Sequence, residues 1–488
     1  MNPEPLLAFG EHLPILIIML PLAGAVLNVV WPLRARAMTA ITALLTLAAS
    51  IALGAHVGGG SGISYTLGGW SAPLGITLSA TAFAAVLVTL TGLVMTGCLL
   101  AARKTFADAN FAAMWLFVWC ALGVLFLSAD LFNVYVGLEL LGVAAVGLVI
   151  RANDLAANRA ALGYMLAGLF GSLLFLLGVA LVYGATGSLA ITAIGQIDVS
   201  ATRYGALVLM TVGLLVKAAV FPLHGWLPGA HASAPAHASA VLSGVVVKAG
   251  IVLLWRLWMP SDTASAELDS TLLVLGCLGV GALAWGSFMA LRAERLKLVV
   301  AYSTVAQMGY LVIAVPLLAL APADALAGGL MLLISHALAK AACFLAAGQV
   351  MDRLGHDRID SLQGLLSSAP LVAFTLALGA VALVGLPPGA AFIGKWMLLE
   401  VSVTHGEWHW FAALMAGSAL SAAVFVRALA SVFVHVEPAD DTAAVQTTGP
   451  AGGTREHALA LGFVVLAFCL GPVAGQIFAL TAIDGGAW

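Results

Sequence analysis

Six titratable residues, Glu139, Lys217, Lys248, His336, Lys340 and Lys395, interrupt stretches of this chain that are otherwise almost wholly apolar. Carboxylates, imidazoles and amines exchange protons with water and with one another, so a series of them through a dry medium does the work of proton transfer. Glu139 lies nine residues after Asp130 and twelve before Arg151, which places it near the middle of a helix rising about 1.5 Å per residue. Tyr135 falls one turn earlier on the same face. Lys217, fourteen residues after Arg203, is equally deep. If its helix packs on that of Glu139, the two form an ion pair in which each stabilises the other's charge.

His237 and Lys248 are eleven residues apart, about three turns, and share a stripe with Gly244, while Ser243 falls one position off it. His336 and Lys340 are one turn apart on another helix. Lys395 follows Gly385-Leu386-Pro387-Pro388-Gly389, a stretch that must break a helix because its prolines remove donors and clash with the preceding turn. Broken backbone at membrane depth lines a water-filled cavity or is covered by protein, so this lysine is expected to be hydrated. Glu400, with His405, Glu407 and His409 nearby, marks either an outward exit or the interface, and His224 and His231 either line a cytoplasmic mouth or lie in a connecting loop. Taken singly, each buried histidine or carboxylic acid could be satisfied by a hydrogen bond to a neighbouring helix. Spread over several helices, the set favours protons or small cations; a stand-alone solute carrier would gather its polar groups into one pocket.

What must position these groups is a membrane bundle. The chain has 488 residues, 62% hydrophobic and only 8% charged, against roughly 25% charged in soluble domains. Apolar runs of about 20 residues recur throughout, without the alternation of a membrane barrel. The expected fold is all-α and polytopic, with spans near 13–32, 37–57, 74–101, 110–128, 131–150, 157–184, 203–222, 231–258, 269–291, 297–319, 323–349, 369–403, 410–434 and 457–480. A polar stretch near 435–456 reads as a surface connection. The acidic N-terminus, MNPEPLLAFGEHLP, predicts a retained first span and not a cleaved signal. Twelve basic residues, Lys297 among them, fall in loops on one face, against Arg203 and Arg256 on the other; the positive-inside rule then places both termini outside the cytoplasm. The remaining basic residues are the four lysines above and Arg427, which lies about two turns from a span end and is expected to reach the interface. Cys98, Cys120, Cys277, Cys343 and Cys469 stand singly in apolar runs and read as small core-filling thiols. No metal site and no cofactor are expected, and no dinucleotide motif or nucleophile constellation indicates an enzyme acting alone.

The segment VKAAVFPLHGWLPGAHASAPAHASAVLSGVVVKAGI, together with DLFNVYVGLELL, AYSTVAQMGYLV, SHALAKAACFLAAGQV and GLPPGAAFIGKWMLL, resembles the antiporter-like subunits of respiratory complex I, Mrp-type cation/proton antiporters and membrane-bound hydrogenases. The likeness covers roughly residues 110–430 in several ordered motifs. It implies N-terminal helices over 1–105, a first five-helix unit over 106–260, an inverted second unit over 261–434 with helices seven and twelve broken, and a closing loop and helix over 435–488. It also implies roles: Glu139 and Lys217 as a coupled pair, Lys248 as the central relay, His336 and Lys340 extending the path, and Lys395 as the terminal group. The LHGWLPGAHASAPA wording and the length are most similar to the D-type component of Mrp antiporters and to hydrogenase-type relatives. Lysine at 395 argues against members with glutamate in the twelfth span, and a complex I or hydrogenase subunit is the alternative to the Mrp reading. The resemblance implies a proton-translocating subunit in a bacterial cytoplasmic membrane, surrounded by lipid and by other membrane subunits, with Na+ as a candidate counter-ion and no nucleic acid partner.

Overall fold

The computed structural model describes residues 10–58, 62–70, 75–102, 105–150, 154–198, 200–259, 266–434 and 454–482. Nearly all of it is helix, and every expected span is occupied. The helices are α1 Leu13–Val30, α2 Ala35–Val57, α3 Ala82–Ala101, α4 Ala109–Leu127, α5 Leu131–Val149 and α6 Leu155–Thr186. α7 is broken into α7a, Ala201–Lys217, and α7b, Trp226–Ser233. There follow α8 Ala236–Trp258, α9 Ala266–Arg292, α10 Leu296–Leu320 and α11 Pro322–Leu354. α12 is also broken, into α12a Pro370–Val384 and α12b Ala390–Thr404, and is followed by α13 Trp408–Leu429 and α14 Thr454–Cys469. Among the described residues, eleven helices are long and apolar enough to cross a membrane by themselves; α7a, the halves of α12, and α14 are shorter.

Local chemistry sets the boundaries. Asp108, Asp130, Asp154, Ser200 and Thr81 each cap the N-terminus of the helix that follows with a side-chain oxygen, satisfying donors that have no intrahelical partner. A short antiparallel hairpin, β1 Ile63–Thr66 and β2 Thr77–Ala80, joins α2 to α3. Counting crossings from α1, the hairpin lies on the face where α4, α6 and α8 end.

Some expected boundaries shift. α8 begins at Ala236, not 231, because Pro235 caps it and residues 226–233 form α7b. α7a ends at Lys217, ahead of Pro222, where Ala219 turns to φ +52. The last expected span is two helices, since Leu470-Gly471-Pro472-Val473 separates α14 from a short helix over Ala474–Ala482. Cys98, Cys120 and Cys343 fill the core, but Cys277 and Cys469 face outward, so those two are not core-filling thiols. The N-terminal residues 1–9, the polar stretch 435–453 and the loop charges Arg103, Lys104 and Arg151 lie outside the described residues.

α8 and α11 run through the centre, buried over the whole of their apolar windows. The outer helices α1, α2 and α6 instead present apolar side chains outward, among them Val29, Leu44, Leu166 and Phe170. Paired glycines let neighbouring backbones approach closely. A Cβ at Gly213 would stand 2.4 Å from the Gly171 carbonyl, and one at Gly394 would stand 2.5 Å from that of Gly328; such small-residue crossings are the usual means of packing helices in lipid.

Candidate functional site

Each buried lysine is held by backbone oxygen that an irregular or crowded helix makes available. Lys217, the last residue of α7a, reaches α5: its Nζ donates to the Leu138 carbonyl at 3.2 Å and lies 4.0 Å from Oε1 of Glu139. The conditional pairing read from the sequence is therefore a contact. Space for the ammonium comes from two glycines, since a Cβ at Gly142 or Gly168 would lie 3.3 or 3.6 Å from Nζ. Beyond the break, the Trp226 indole donates to the Val216 carbonyl at 2.9 Å, and its ring stacks on Tyr164 of α6 at 4.1 Å.

Lys248 is 1% exposed and lies just past a π turn, Leu242–Val246. Its Nζ donates to the Ser243 carbonyl. The extra residue in the π turn changes the helical register, which is why Ser243, set aside by α-helical spacing, belongs to this site after all. Its hydroxyl meets the Thr304 hydroxyl of α10 at 2.8 Å. Thr304 in turn donates to the Val300 carbonyl at 3.2 Å, and that same carbonyl accepts from Lys340 Nζ at 2.6 Å. Lys340, 0% exposed, also donates to Ser303 Oγ. Lys248 and Lys340 are thus joined through Ser243, Thr304 and Val300, residues on two helices. Gly244 serves packing: a Cβ there would stand 3.3 Å from the Ala337 carbonyl of α11.

His336 is buried one turn before Lys340, within electrostatic range of Lys340 and Lys248, and neither ring nitrogen has a hydrogen-bond partner among the described residues. His231 is equally orphaned and wholly buried on α7b, stacked on Phe344 of α11 at 5.2 Å. It lines neither a mouth nor a loop, because α7b packs against α6 and α10 and the ring is covered by Phe344 of α11. Lys297, counted from sequence as a loop charge, is buried too: its Nζ donates to the Ala232 and Ala234 carbonyls at 3.3 and 2.7 Å, at the C-terminal end of α7b where partial negative charge collects. Asp357 fixes the start of α10 by accepting from Arg295 Nε at 2.8 Å and the Lys297 amide at 3.1 Å.

Lys395 sits beyond the α12 break. Its Nζ donates to the Val384 carbonyl at the end of α12a at 2.8 Å, to Ser418 Oγ at 3.1 Å and to Tyr310 Oη at 3.2 Å, and lies 4.2 Å from the Tyr310 ring centroid. Gln307 satisfies the adjacent Leu383 carbonyl at 2.9 Å. The break thus exposes two carbonyls, one for an amide and one for the ammonium.

Several sequence candidates stand apart. His237 does not share a stripe with Lys248; it faces Phe106, Phe111 and Trp115, with ring centroids 6.0, 5.2 and 6.3 Å away. The π turn, again, breaks the three-turn count. Tyr135 packs against Phe132 at 5.8 Å, and no hydrogen bond joins it to Glu139 among the described residues. His224 is half-buried against Phe221 and Trp285. Glu400 is exposed and lines an outer cavity of about 240 Å³ with Asp324, Thr404 and His405. Arg427 is exposed and donates to the Ala293 carbonyl at 3.0 Å. Ser303, Thr304, Gln307 and Tyr310, four of the partners missed by sequence reasoning, lie in AYSTVAQMGYLV, where a polar residue on nearly every turn of one apolar span was the available signal; a fifth, Ser418, lies on α13.

Fold and site together define a polytopic all-α membrane protein whose broken and distorted helices hold buried amines. The chain belongs to the NADH:quinone oxidoreductase/Mrp antiporter transmembrane family, whose model matches residues 128–421. It is 32% identical over 466 residues to NADH-quinone oxidoreductase subunit N of Desulforudis audaxviator, an alignment covering 92% of each chain. It is 29% identical to the D component of the Na+/H+ antiporter of Alkalihalophilus pseudofirmus, covering 68% of each chain. A chain in the structure of the Mrp complex from a Dietzia species superposes with a TM-score of 0.88, over 98% of this chain and 97% of that one, at 24% identity; that likeness is one of fold.

Proposed function

We propose that this chain is the proton-translocating subunit of a multisubunit complex in a bacterial cytoplasmic membrane, with both termini on the non-cytoplasmic side. The observation that carries this reading is the row of buried amines on α7, α8, α11 and α12, each held by a backbone carbonyl, with Lys248 and Lys340 joined through α10 and Lys217 set against Glu139 of α5. A lysine at mid-membrane costs about 2.5–3.5 kcal/mol on insertion scales, and four of them serve no packing need that leucine would not meet. When Glu139 stands beside Lys217, its carboxylate stabilises the ammonium. When it swings to the partly open side of α5, where its side chain is already 31% exposed, the charge loses its partner and the proton moves on. The path then runs through Lys248, the Ser243–Thr304 link, His336 and Lys340 to Lys395, and outward past Glu400. His231, buried against Phe344 of α11, is accessory to it.

The partner complex is an Mrp-type antiporter exchanging a cation such as Na+ for protons. The likeness to the D component of a Na+/H+ antiporter, the LHGWLPGAHASAPA segment and Lys395 support that assignment. A complex I reading is favoured by a different observation, the 92% coverage in both directions with an NADH-quinone oxidoreductase chain. Affinity purification of the tagged chain followed by mass spectrometry separates the two, since antiporter subunits are expected and quinone-reductase subunits would overturn the first assignment. For the mechanism itself, Glu139→Ala and Lys217→Ala complexes are expected to assemble and lose proton transport; assembled complexes transporting at the native rate would refute it.

A further inference from the structure

We infer that Arg256 is an electrostatic seal, a fixed positive charge that blocks direct escape of protons from Lys248 to the face where α8 ends. The inference rests on the proton-translocating reading above. Sequence counting places Arg256 among interfacial charges, but it is 5% exposed, and its only hydrogen bond among those described runs from NH1 to the Leu125 carbonyl of α4 at 3.5 Å. No ion pair joins it to a carboxylate among the described residues. A buried guanidinium without a counter-ion is expensive, and the proton path just described makes no use of it.

Its surroundings say what it guards. Arg256 lines a small cavity of about 10 Å³ with Ser79, Thr81, Phe83, Ala84, Phe126 and Val252, room for about one water. Val252 is one turn beyond Lys248, and Arg256 is one turn further, so the cavity lies between the central lysine and the hairpin face. Ser79 and Thr81 come from β2 and the start of α3, on that face. Two hydroxyls and one water would bring protons from the hairpin face to within two turns of Lys248, about 12 Å along α8. Val252 is the turn between, since the ammonium itself turns back to the Ser243 carbonyl; this route is shorter than the one through His336, Lys340 and Lys395. A guanidinium closes it twice over. It never yields its own proton at physiological pH, so it cannot relay, and its charge repels an approaching hydronium, the means by which an arginine excludes protons from other pores.

The test is passive proton leak through the whole complex in proteoliposomes under an imposed pH gradient, beside coupled transport by the same vesicles. Arg256→Gln keeps a donor for the Leu125 carbonyl and removes the charge; Arg256→Lys keeps the charge. Thr81→Asp is a second, independent variant that leaves Arg256 in place. Aspartate still caps α3, as Thr81 does through the Ala84 amide, and its carboxylate neutralises the guanidinium. The expected result is a leak raised at least about tenfold in Arg256→Gln and Thr81→Asp, the factor implied by two unit charges as far as about 12 Å apart at an effective dielectric of about 20 and exceeded for a proton inside the cavity, with Arg256→Lys as tight as native. The seal is overturned if Thr81→Asp or Arg256→Gln is proton-tight, or if Arg256→Lys leaks as much as Arg256→Gln. A native complex that moves no protons at all refutes the proton-translocating reading instead, so the two failures are distinguishable.

Discussion

Gly385 offers a substitution whose effect can be worked from geometry. It ends α12a at φ +81, and a Cβ there would stand 3.0 Å from Cδ, 3.2 Å from Cε and 3.4 Å from Nζ of Lys395. Alanine at 385 therefore does two things. It takes on a left-handed backbone at a cost of about 1–2 kcal/mol, and it pushes the lysine side chain by a few tenths of an ångström off the Val384 carbonyl, Ser418 and Tyr310. Gly406 separates the two effects: it has φ +74, and nothing lies within 4 Å of its Cβ position. Gly385→Ala and Gly406→Ala should thus destabilise the chain by similar amounts. The assay is formation of a pH gradient in vesicles carrying assembled complex, with assembly checked on native gels. Gly385→Ala should lose most of its transport at undiminished assembly while Gly406→Ala keeps it. Equal transport in the two variants would refute the idea that Lys395 must be held at the α12 break.

Other consequences concern the connections between helices. Ser243→Ala and Thr304→Val should each slow transport, and a double-mutant cycle on stability should show coupling of about 1 kcal/mol, the net worth of one buried hydroxyl hydrogen bond; additivity would mean that the 2.8 Å contact is idle. Ser303→Ala removes a partner of Lys340 and should reduce transport more than stability, measured as vesicle acidification against thermal unfolding. Asp357→Ala strips the start of α10 of its buried acceptor and should cost about 2–4 kcal/mol; the expected readout is a lower yield of assembled complex, with near-native transport per complex that does assemble.

Much of this site was legible in the sequence because charge is so scarce there. Glu139, Lys217, Lys248, His336, Lys340 and Lys395 announce themselves as titratable groups in apolar runs, and the double proline locates the α12 break. The conditional Glu139–Lys217 pairing needed only two helices to pack together. What eluded the sequence depends on distances between helices and on departures from regular spacing. The π turn at Leu242–Val246 moved Ser243 into the Lys248 site and left His237 among aromatics, because stripes drawn at 3.6 residues per turn do not survive an inserted residue. The carbonyls that hold Lys217, Lys248 and Lys395 have no sequence signature of their own; any residue supplies one. Lys297 and Arg256 were misread for a related reason. Both lie within a turn of a helix end, where charges usually meet water; the packing of α7b over one, and of β2, α3 and α4 over the other, buries them.

Lys340, the wholly buried amine between Lys248 and Lys395 in the row, is where proton passage along these helices is most directly tested. Proton transport by reconstituted complex carrying Lys340→Met is the decisive measurement, since methionine fills similar space without a titratable group. The expected outcome is a complex that assembles at the native level and generates no pH gradient. A Lys340→Met complex that acidifies vesicles at the native rate would show that protons do not pass along this row.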